Sequence, residues 1–181
     1  IVYSDEVIDR IAHLKPAAAD FLLMWDNAYC IHEFDGGFRP FRDILTLCSE
    51  AGNPDMVFEF ASTSKITFPG SGVACFACSE ANMAYMKKLI SVQTISFDKI
   101  NQLRHVLFLK DRASTLEHMK KHAEFLKPKF DIVLEYLERE IKPLDIGRWH
   151  TPKGGYFVSF FTIPGGAKRT NQLAKEAGVV M

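Results

Sequence analysis

Two short apolar segments with a helical segment between them place the strongest constraint on how this 181-residue chain can fold. The first, residues 21–26, is a continuous apolar run closed by Asp26, and the second covers residues 56–60. Such runs are typical of strands buried on both faces of a parallel sheet. Helical spacing over residues 41–51, ended by Gly52, predicts the helix that connects them. The alternation predicts an α/β fold with a mostly parallel sheet.

The same patterns predict the remaining elements of the chain. Ser4 is the expected N-cap of a helix that runs to about Leu14. We expect a third strand over residues 73–77 and another after the Gly154-Gly155 turn. Four further helices are predicted over residues 80–92, 97–108, 114–141 and 167–177.

Charge and hydropathy narrow the class of protein. The formal net charge is +0, which favours neither nucleic acid nor an anionic membrane surface as a partner. No apolar stretch approaches the roughly 18 to 20 residues that span a bilayer. The first residues show no secretion signal, and the 4 cysteines are too scattered for a disulfide framework. We therefore expect a cytoplasmic protein.

Three reactive side chains follow the first two predicted strands. Asp26 and Tyr29 come at the end of the first strand, and Lys65 follows the second within Ser62-Thr63-Ser64-Lys65. Ligands of α/β proteins bind beyond the carboxyl ends of the strands, which is where these residues are expected to lie. Taken alone, Asp26 could be a loop or cap residue and Lys65 a solvated lysine. Their combination points to a shared site.

Pyridoxal phosphate chemistry needs this set of groups. An amine at a fixed position can bond covalently to the cofactor's aldehyde, which makes Lys65 the candidate. A carboxylate beside the pyridine nitrogen keeps it protonated, so that the ring can accept electrons; Asp26 is the candidate for this role. Tyr29 could donate to the ring's phenolic oxygen. Hydroxyls before Lys65 and glycines after it can bind a phosphate.

These motifs carry a family resemblance. Asp-x-x-Tyr at a strand end, followed by Ser-x-Ser-Lys, resembles the fold-type I pyridoxal-phosphate-dependent aminotransferases. Residues 62–73 resemble the aspartate aminotransferase branch described as MocR-like. Two further segments, residues 98–105 and 152–156, are similar to the same branch.

The resemblance implies a role for each candidate residue. Lys65 would hold the cofactor covalently and act as the base for the 1,3-proton shift. Asp26 would be the pyridinium partner, and Tyr29 the donor to the ring oxygen. Ser62 matches a phosphate-binding serine, and Ser64 is a second candidate for that job.

One position departs from the family pattern. Many aminotransferases place a phosphate-binding arginine seven or eight residues after the lysine, where this chain has Gly72 and Val73. Phosphate binding is therefore expected to use hydroxyls, backbone amides or residues outside this chain.

The resemblance also implies that the chain is an interior or C-terminal piece of a longer enzyme. Residues 1–112 would be part of the large cofactor-binding domain, and residues 113–181 part of a smaller α+β C-terminal domain. The substrate-carboxylate arginine would lie outside the chain, so this piece alone is expected to be inactive. The family's shared active sites imply a homodimer.

The expected function is transamination between an amino acid, aspartate or glutamate, and a 2-oxo acid. An aminotransferase-like sensor domain of a transcription regulator is one alternative. A pyridoxal phosphate lyase or decarboxylase on the same fold is another. No metal site is expected. Cys75 and Cys78 have no second cysteine pair or histidine nearby, and between His118 and His122 the glutamate of an HExxH motif is replaced by Met119.

Overall fold

The structure, a computed structural model, describes residues 3–35, 37 and 39–180. Its larger sheet has three strands in the order β1 (Leu23–Asp26), β2 (Val57–Ser62) and β3 (Ala74–Cys78). Strands β1 and β2 are parallel, with Leu23 opposite Val57 and Asp26 opposite Phe60. Helix α2 (Ile44–Glu50) lies between them in the chain. The predicted α/β fold class is confirmed.

Strand β3 runs antiparallel to β2, with Phe58 opposite Cys78 and Ser62 opposite Ala74. The third strand was predicted over residues 73–77 as part of a mostly parallel sheet. Residues 63–73, which join the two strands, contain no helix and form turns instead. A parallel connection needs a crossover of about a dozen residues or more, usually a helix, whereas a short loop returns the chain antiparallel. The candidate lysine lies in this loop.

A cluster of buried side chains lies where α1 (Asp5–Ala12) and α2 pack beside β2. Ile8, Ile44, Cys48 and Val57 are its largest fully buried side chains, each at most 1% exposed. The Ser4 hydroxyl accepts a hydrogen bond from the Val7 N–H, which confirms the predicted N-cap of α1. This core holds β2, and therefore the loop after it.

Asp43 caps α2 through its carboxylate. Its Oδ1 accepts hydrogen bonds from the N–H groups of Leu45 at 3.0 Å and Thr46 at 3.3 Å. The Thr46 hydroxyl donates to Oδ2 at 2.6 Å. This hydroxyl, with the two backbone donors, lowers the pKa of the Asp43 carboxyl despite partial burial.

Strand β1 differs from the prediction in its burial. Instead of being buried on both faces, it alternates, with Leu23 and Trp25 packed against the core and Met24 72% exposed. Within the described residues, one face of β1 therefore faces outwards.

Helices α3 (Glu80–Gln93), α4 (Lys99–Leu109) and α5 (Arg112–Tyr136) follow the sheet. The long helix α5 begins two residues before the predicted start. The Asp111 carboxylate accepts the Ser114 N–H at 2.7 Å, and this bond is the largest cause of the lowered pKa of Asp111. After α5 the chain continues through a π-helical turn, Leu137–Ile141.

The described chain divides into two compact units, one of residues 3–32, 37 and 39–119 and the other of residues 33–35 and 120–180. The second unit contains the antiparallel pair β4 (Gly147–Trp149) and β5 (Phe160–Thr162), followed by α6 (Ala167–Glu176). The strand predicted after Gly155 begins only at Phe160. Helix α5 crosses the division between the units. No helix in the described ranges is long and apolar enough to span a membrane.

Candidate functional site

Asp26 ends β1, and Tyr29 lies in the turn that follows. Asp26 is the last residue of the strand and is exposed, and its Oδ1 accepts the Ala28 N–H at 3.1 Å. The neighbouring Asn27 fastens this turn to β2. Its N–H donates to the Phe60 carbonyl at 2.8 Å, and its Nδ2 donates to Glu59 at 2.8 Å. The carboxylate is thus held at the carboxyl end of β1, beside β2.

The turn after β2 carries the predicted lysine. Ser62 is the last residue of the strand, and its hydroxyl accepts the Ser64 N–H at 3.1 Å. Because a hydroxyl keeps its own proton when it accepts, Ser62 can still donate to an anion. The Ile66 and Thr67 N–H groups donate to the Thr63 carbonyl at 2.9 and 2.8 Å, which closes a tight turn around Lys65.

Lys65 itself is exposed, whereas the next residue, Ile66, is 8% exposed. The buried isoleucine anchors the turn on the body of the unit. Lys65 is therefore an exposed residue on a turn that its buried neighbour anchors.

The two turns are connected by His32, a residue that the sequence analysis did not single out. His32 is 5% exposed, and its Nε2 lies 3.2 Å from the Lys65 carbonyl oxygen. Since a carbonyl only accepts, Nε2 carries the proton of this bond. The Tyr29 ring packs edge-on against the imidazole, with 5.2 Å between ring centroids. The structure thus ties Tyr29 and Lys65 to one buried side chain.

Gly72, one of the two positions at which many aminotransferases are expected to have an arginine, lies against the lysine turn. A Cβ atom added at Gly72 would stand 2.5 Å from the Ser64 Oγ, 2.9 Å from its N and 3.0 Å from its Cα. Two of these are backbone atoms, which cannot swing away. A side chain of any kind at position 72 would displace the turn, which gives a steric reason for the absence of an arginine at this one of the two positions.

Two more histidines contact the lysine turn and were not assigned to the site from the sequence. His105 of α4 has its Nε2 2.9 Å from both the Thr63 and the Thr67 Oγ1 atoms. His118 of α5 donates from Nε2 to the Ile66 carbonyl at 2.8 Å. His105 ends a segment that carries the family resemblance, which was the only sequence signal for its involvement. Nothing local to His118 points to the turn.

The arrangement brings the predicted groups to one edge of the sheet. Asp26 and Ser62 end two neighbouring parallel strands, and Tyr29 and Lys65 lie in the turns that follow them. A lysine amine, a carboxylate and serine hydroxyls are groups that can together hold an anionic, electrophilic ligand. Across the described ranges, no group of three or more His, Cys, Asp or Glu residues is arranged to hold a metal ion.

Comparison with known proteins gives consistent results. The family model described as aspartate amino-transferase matches residues 1–181. A Mycolicibacterium smegmatis protein that is named as an aminotransferase is 46% identical to this chain over 179 residues. The matched region covers 99% of this chain and 42% of the relative. The structure of an aspartate transaminase from Corynebacterium glutamicum superposes with a TM-score of 0.92 at 38% identity, covering 99% of this chain and 42% of that one.

A more distant structure shares the fold. The α-aminoadipate aminotransferase of Thermus thermophilus, complexed with N-(5'-phosphopyridoxyl)-L-leucine, has a TM-score of 0.70 at 22% identity, covering 97% of this chain and 43% of that chain. This chain therefore spans less than half the length of each relative described above.

Proposed function

The chain belongs to the aspartate aminotransferase family, and we propose that it is part of a pyridoxal-phosphate-dependent transaminase. The reaction would move an amino group between an amino acid, aspartate or glutamate, and a 2-oxo acid. The observation that carries the proposal is the placement of Asp26 at the end of β1 and of Lys65 in the turn after β2, the parallel strand paired with β1.

The chemical groups of Lys65, Asp26 and Tyr29 are the types that this cofactor requires. When bound, pyridoxal phosphate supplies an aldehyde that reacts with amines and a ring that accepts electrons. In our proposal Lys65 provides the amine for attachment and moves the proton during the reaction. Asp26 would hold the pyridine nitrogen in its protonated form, and Tyr29 would donate to the ring oxygen.

Phosphate binding is proposed to use hydroxyl and amide donors. Ser62 retains a hydroxyl proton for donation, and Ser64 offers a second hydroxyl next to the lysine. The close approach of Gly72 supports this, because it excludes an arginine from position 72.

We further propose that residues 1–112 belong to the large cofactor-binding domain and residues 113–181 to the smaller C-terminal domain. The complete protein would be a cytoplasmic homodimer with a small-molecule amino acid and a 2-oxo acid as its substrates. Because this chain spans about 42% of its relative's length, the activity belongs to the longer protein.

Chemical trapping tests the assignment of Lys65. The full-length protein is mixed with pyridoxal phosphate and reduced with borohydride, which makes the link between cofactor and lysine permanent. Peptide mass mapping should find the label on Lys65 and none at this position in Lys65→Ala. Lys87→Ala, which removes an exposed lysine of α3, is the control and should be labelled normally. Labelling only at other lysines would refute the assignment.

Product analysis then tests the reaction. With aspartate and a 2-oxo acid, the full-length protein should form a new amino acid, and Lys65→Ala should be slower by about 10²–10⁴-fold, the usual contribution of a general base. Loss of carbon dioxide or ammonia without transfer would indicate a decarboxylase or lyase instead. Cofactor binding without turnover would favour the sensor.

A further inference from the structure

Helix α4 contacts both ends of the loop that carries Lys65. Two of its residues one turn apart, Asn101 and His105, make the contacts. The Asn101 side-chain amide donates to the carbonyls of Ser71 at 2.8 Å and Gly72 at 3.4 Å. The His105 Nε2 lies 2.9 Å from the Thr63 hydroxyl and 2.9 Å from the Thr67 hydroxyl, at the other end of the loop.

The geometry assigns the protons of these hydrogen bonds. The Nδ1 of His105 lies 2.8 Å from the backbone carbonyl oxygen of Asn101. Because this oxygen can only accept, Nδ1 carries a proton. In the neutral ring Nε2 is then an acceptor. The Thr63 oxygen already accepts the Val73 N–H at 2.9 Å, and its own proton is directed to His105. The Thr67 hydroxyl shares its proton between His105 and the Thr63 carbonyl, 3.1 Å away.

The two threonines flank Lys65 at two residues on either side. An imidazole bonded to both spans the turn and fixes the backbone from which the lysine side chain departs. Asn101 holds the returning half of the same loop through its bonds to Ser71 and Gly72, and Gly72 approaches Ser64 closely. Phe108 of the same helix also packs edge-on against His118, with 5.1 Å between the centroids, and His118 donates to Ile66 within the turn.

We propose that Asn101 and His105 are positioning residues that set the location of the Lys65 amine in the active site. This inference rests on the proposed function, since it gives these residues a purpose only if Lys65 reacts. Neither residue is proposed to touch substrate or cofactor. They act through the threonines and the glycine-rich segment, and a small displacement of a reacting group can lower a rate by about a hundredfold.

Two substitutions at His105 separate positioning from folding. In His105→Gln, the side-chain amide can take the place of Nε2 in the hydrogen bonds with the Thr63 and Thr67 hydroxyls. In His105→Asn, a shorter amide can still donate to the Asn101 carbonyl but does not reach the threonines. Gln102→Ala, at an exposed residue of the same helix, serves as the control.

The measurements use the full-length protein loaded with pyridoxal phosphate. For His105→Asn we expect kcat to fall about tenfold to a hundredfold with a smaller change in KM. We also expect the pH midpoint of the cofactor's visible absorbance band to shift. In His105→Gln, kcat and the pH midpoint should stay closer to the wild-type values than in His105→Asn. Gln102→Ala should change neither value.

Two results would overturn the inference: unchanged kcat and pH midpoint in His105→Asn, or equal losses in the Asn and Gln variants. If His105→Asn does not fold, the pair Thr67→Val and Thr67→Ser replaces it. The valine variant should show the losses and the serine variant should not, and equal behaviour of the two would contradict the proposal.

Borohydride labelling of the wild type separates this inference from the proposed function. If Lys65 is not labelled in the wild-type protein, the proposed function fails, whatever the variants do. If Lys65 is labelled and the His105 variants behave like the wild type, only the positioning role is wrong.

Discussion

At the scale of single residues, the close approach of Gly72 to Ser64 predicts the effect of adding a side chain at position 72. We predict that Gly72→Ala destabilises the protein by about 1–3 kcal/mol, the usual cost of forcing a methyl group into a packed site. It should also weaken pyridoxal phosphate binding, because the added Cβ would meet the Ser64 backbone 2.9 Å away. Chemical denaturation and cofactor titration of the full-length protein measure the two effects.

Gly70 provides the matched control. Its φ is +79°, and a Cβ there would have nothing within 4 Å. Gly70→Ala should therefore cost about 1–2 kcal/mol through backbone strain alone. If both variants lower cofactor affinity equally, contact with Ser64 is not the cause.

Asp26 permits a test of charge with little change of shape. In Asp26→Asn the side-chain oxygen can still accept the Ala28 N–H, which Asp26 accepts at 3.1 Å, while the negative charge is lost. We predict a kcat lower by about a hundredfold or more, comparable with other losses of electrostatic stabilisation in active sites. Urea denaturation should show little change. A fully active Asp26→Asn enzyme would remove Asp26 from the site.

At the scale of elements, the cap of α2 predicts how stability depends on pH. The folded-state pKa of Asp43 is lowered from its ordinary value of 3.8, chiefly by the Thr46 hydroxyl. Its stabilising contribution is therefore complete above that value and is lost as the pH falls through the lower folded-state pKa. We predict that Asp43→Asn, which can still cap the helix, reduces the acid sensitivity of unfolding.

Asp43→Ala removes the cap itself and should cost about 0.5–2 kcal/mol at neutral pH. Denaturation of the three proteins across a pH series distinguishes the effects. The prediction fails if Asp43→Asn loses stability in acid as steeply as the wild type.

At the scale of the whole molecule, large apolar side chains remain exposed in the described structure. Ile95 is fully exposed, Val92 is 84% exposed, and Met24 of β1 is 72% exposed. Extensive apolar exposure indicates surfaces that pack against other protein. The chain also spans only about 42% of its relative's length.

We therefore predict that the 181-residue chain, expressed alone, self-associates and binds a hydrophobic dye more strongly per residue than the full-length protein. It should also fail to transaminate. Size-exclusion chromatography, dye fluorescence and the product assay measure these properties. A monomeric, active 181-residue chain would contradict the prediction.

Local patterns in the sequence were enough to predict several elements and the candidate residues. The Ser4 cap, the α/β class and the helix between β1 and β2 depend on residues close together in the chain, where spacing and capping act directly. The roles of Lys65, Asp26, Tyr29, Ser62 and Ser64 stay predictions. The structure adds that Asp26 and Ser62 end paired strands and that Tyr29, Ser64 and Lys65 lie in the turns that follow.

Other features depend on residues that meet only after folding. Thr63 and His105 are 42 positions apart, and Ile66 and His118 are 52 apart. The direction of β3 and the exposed face of β1 also depended on which segments pack together. Residue spacing defines the face of a helix or strand but not the surface that face will meet. Only tertiary packing decided what supports the lysine turn and why position 72 is glycine.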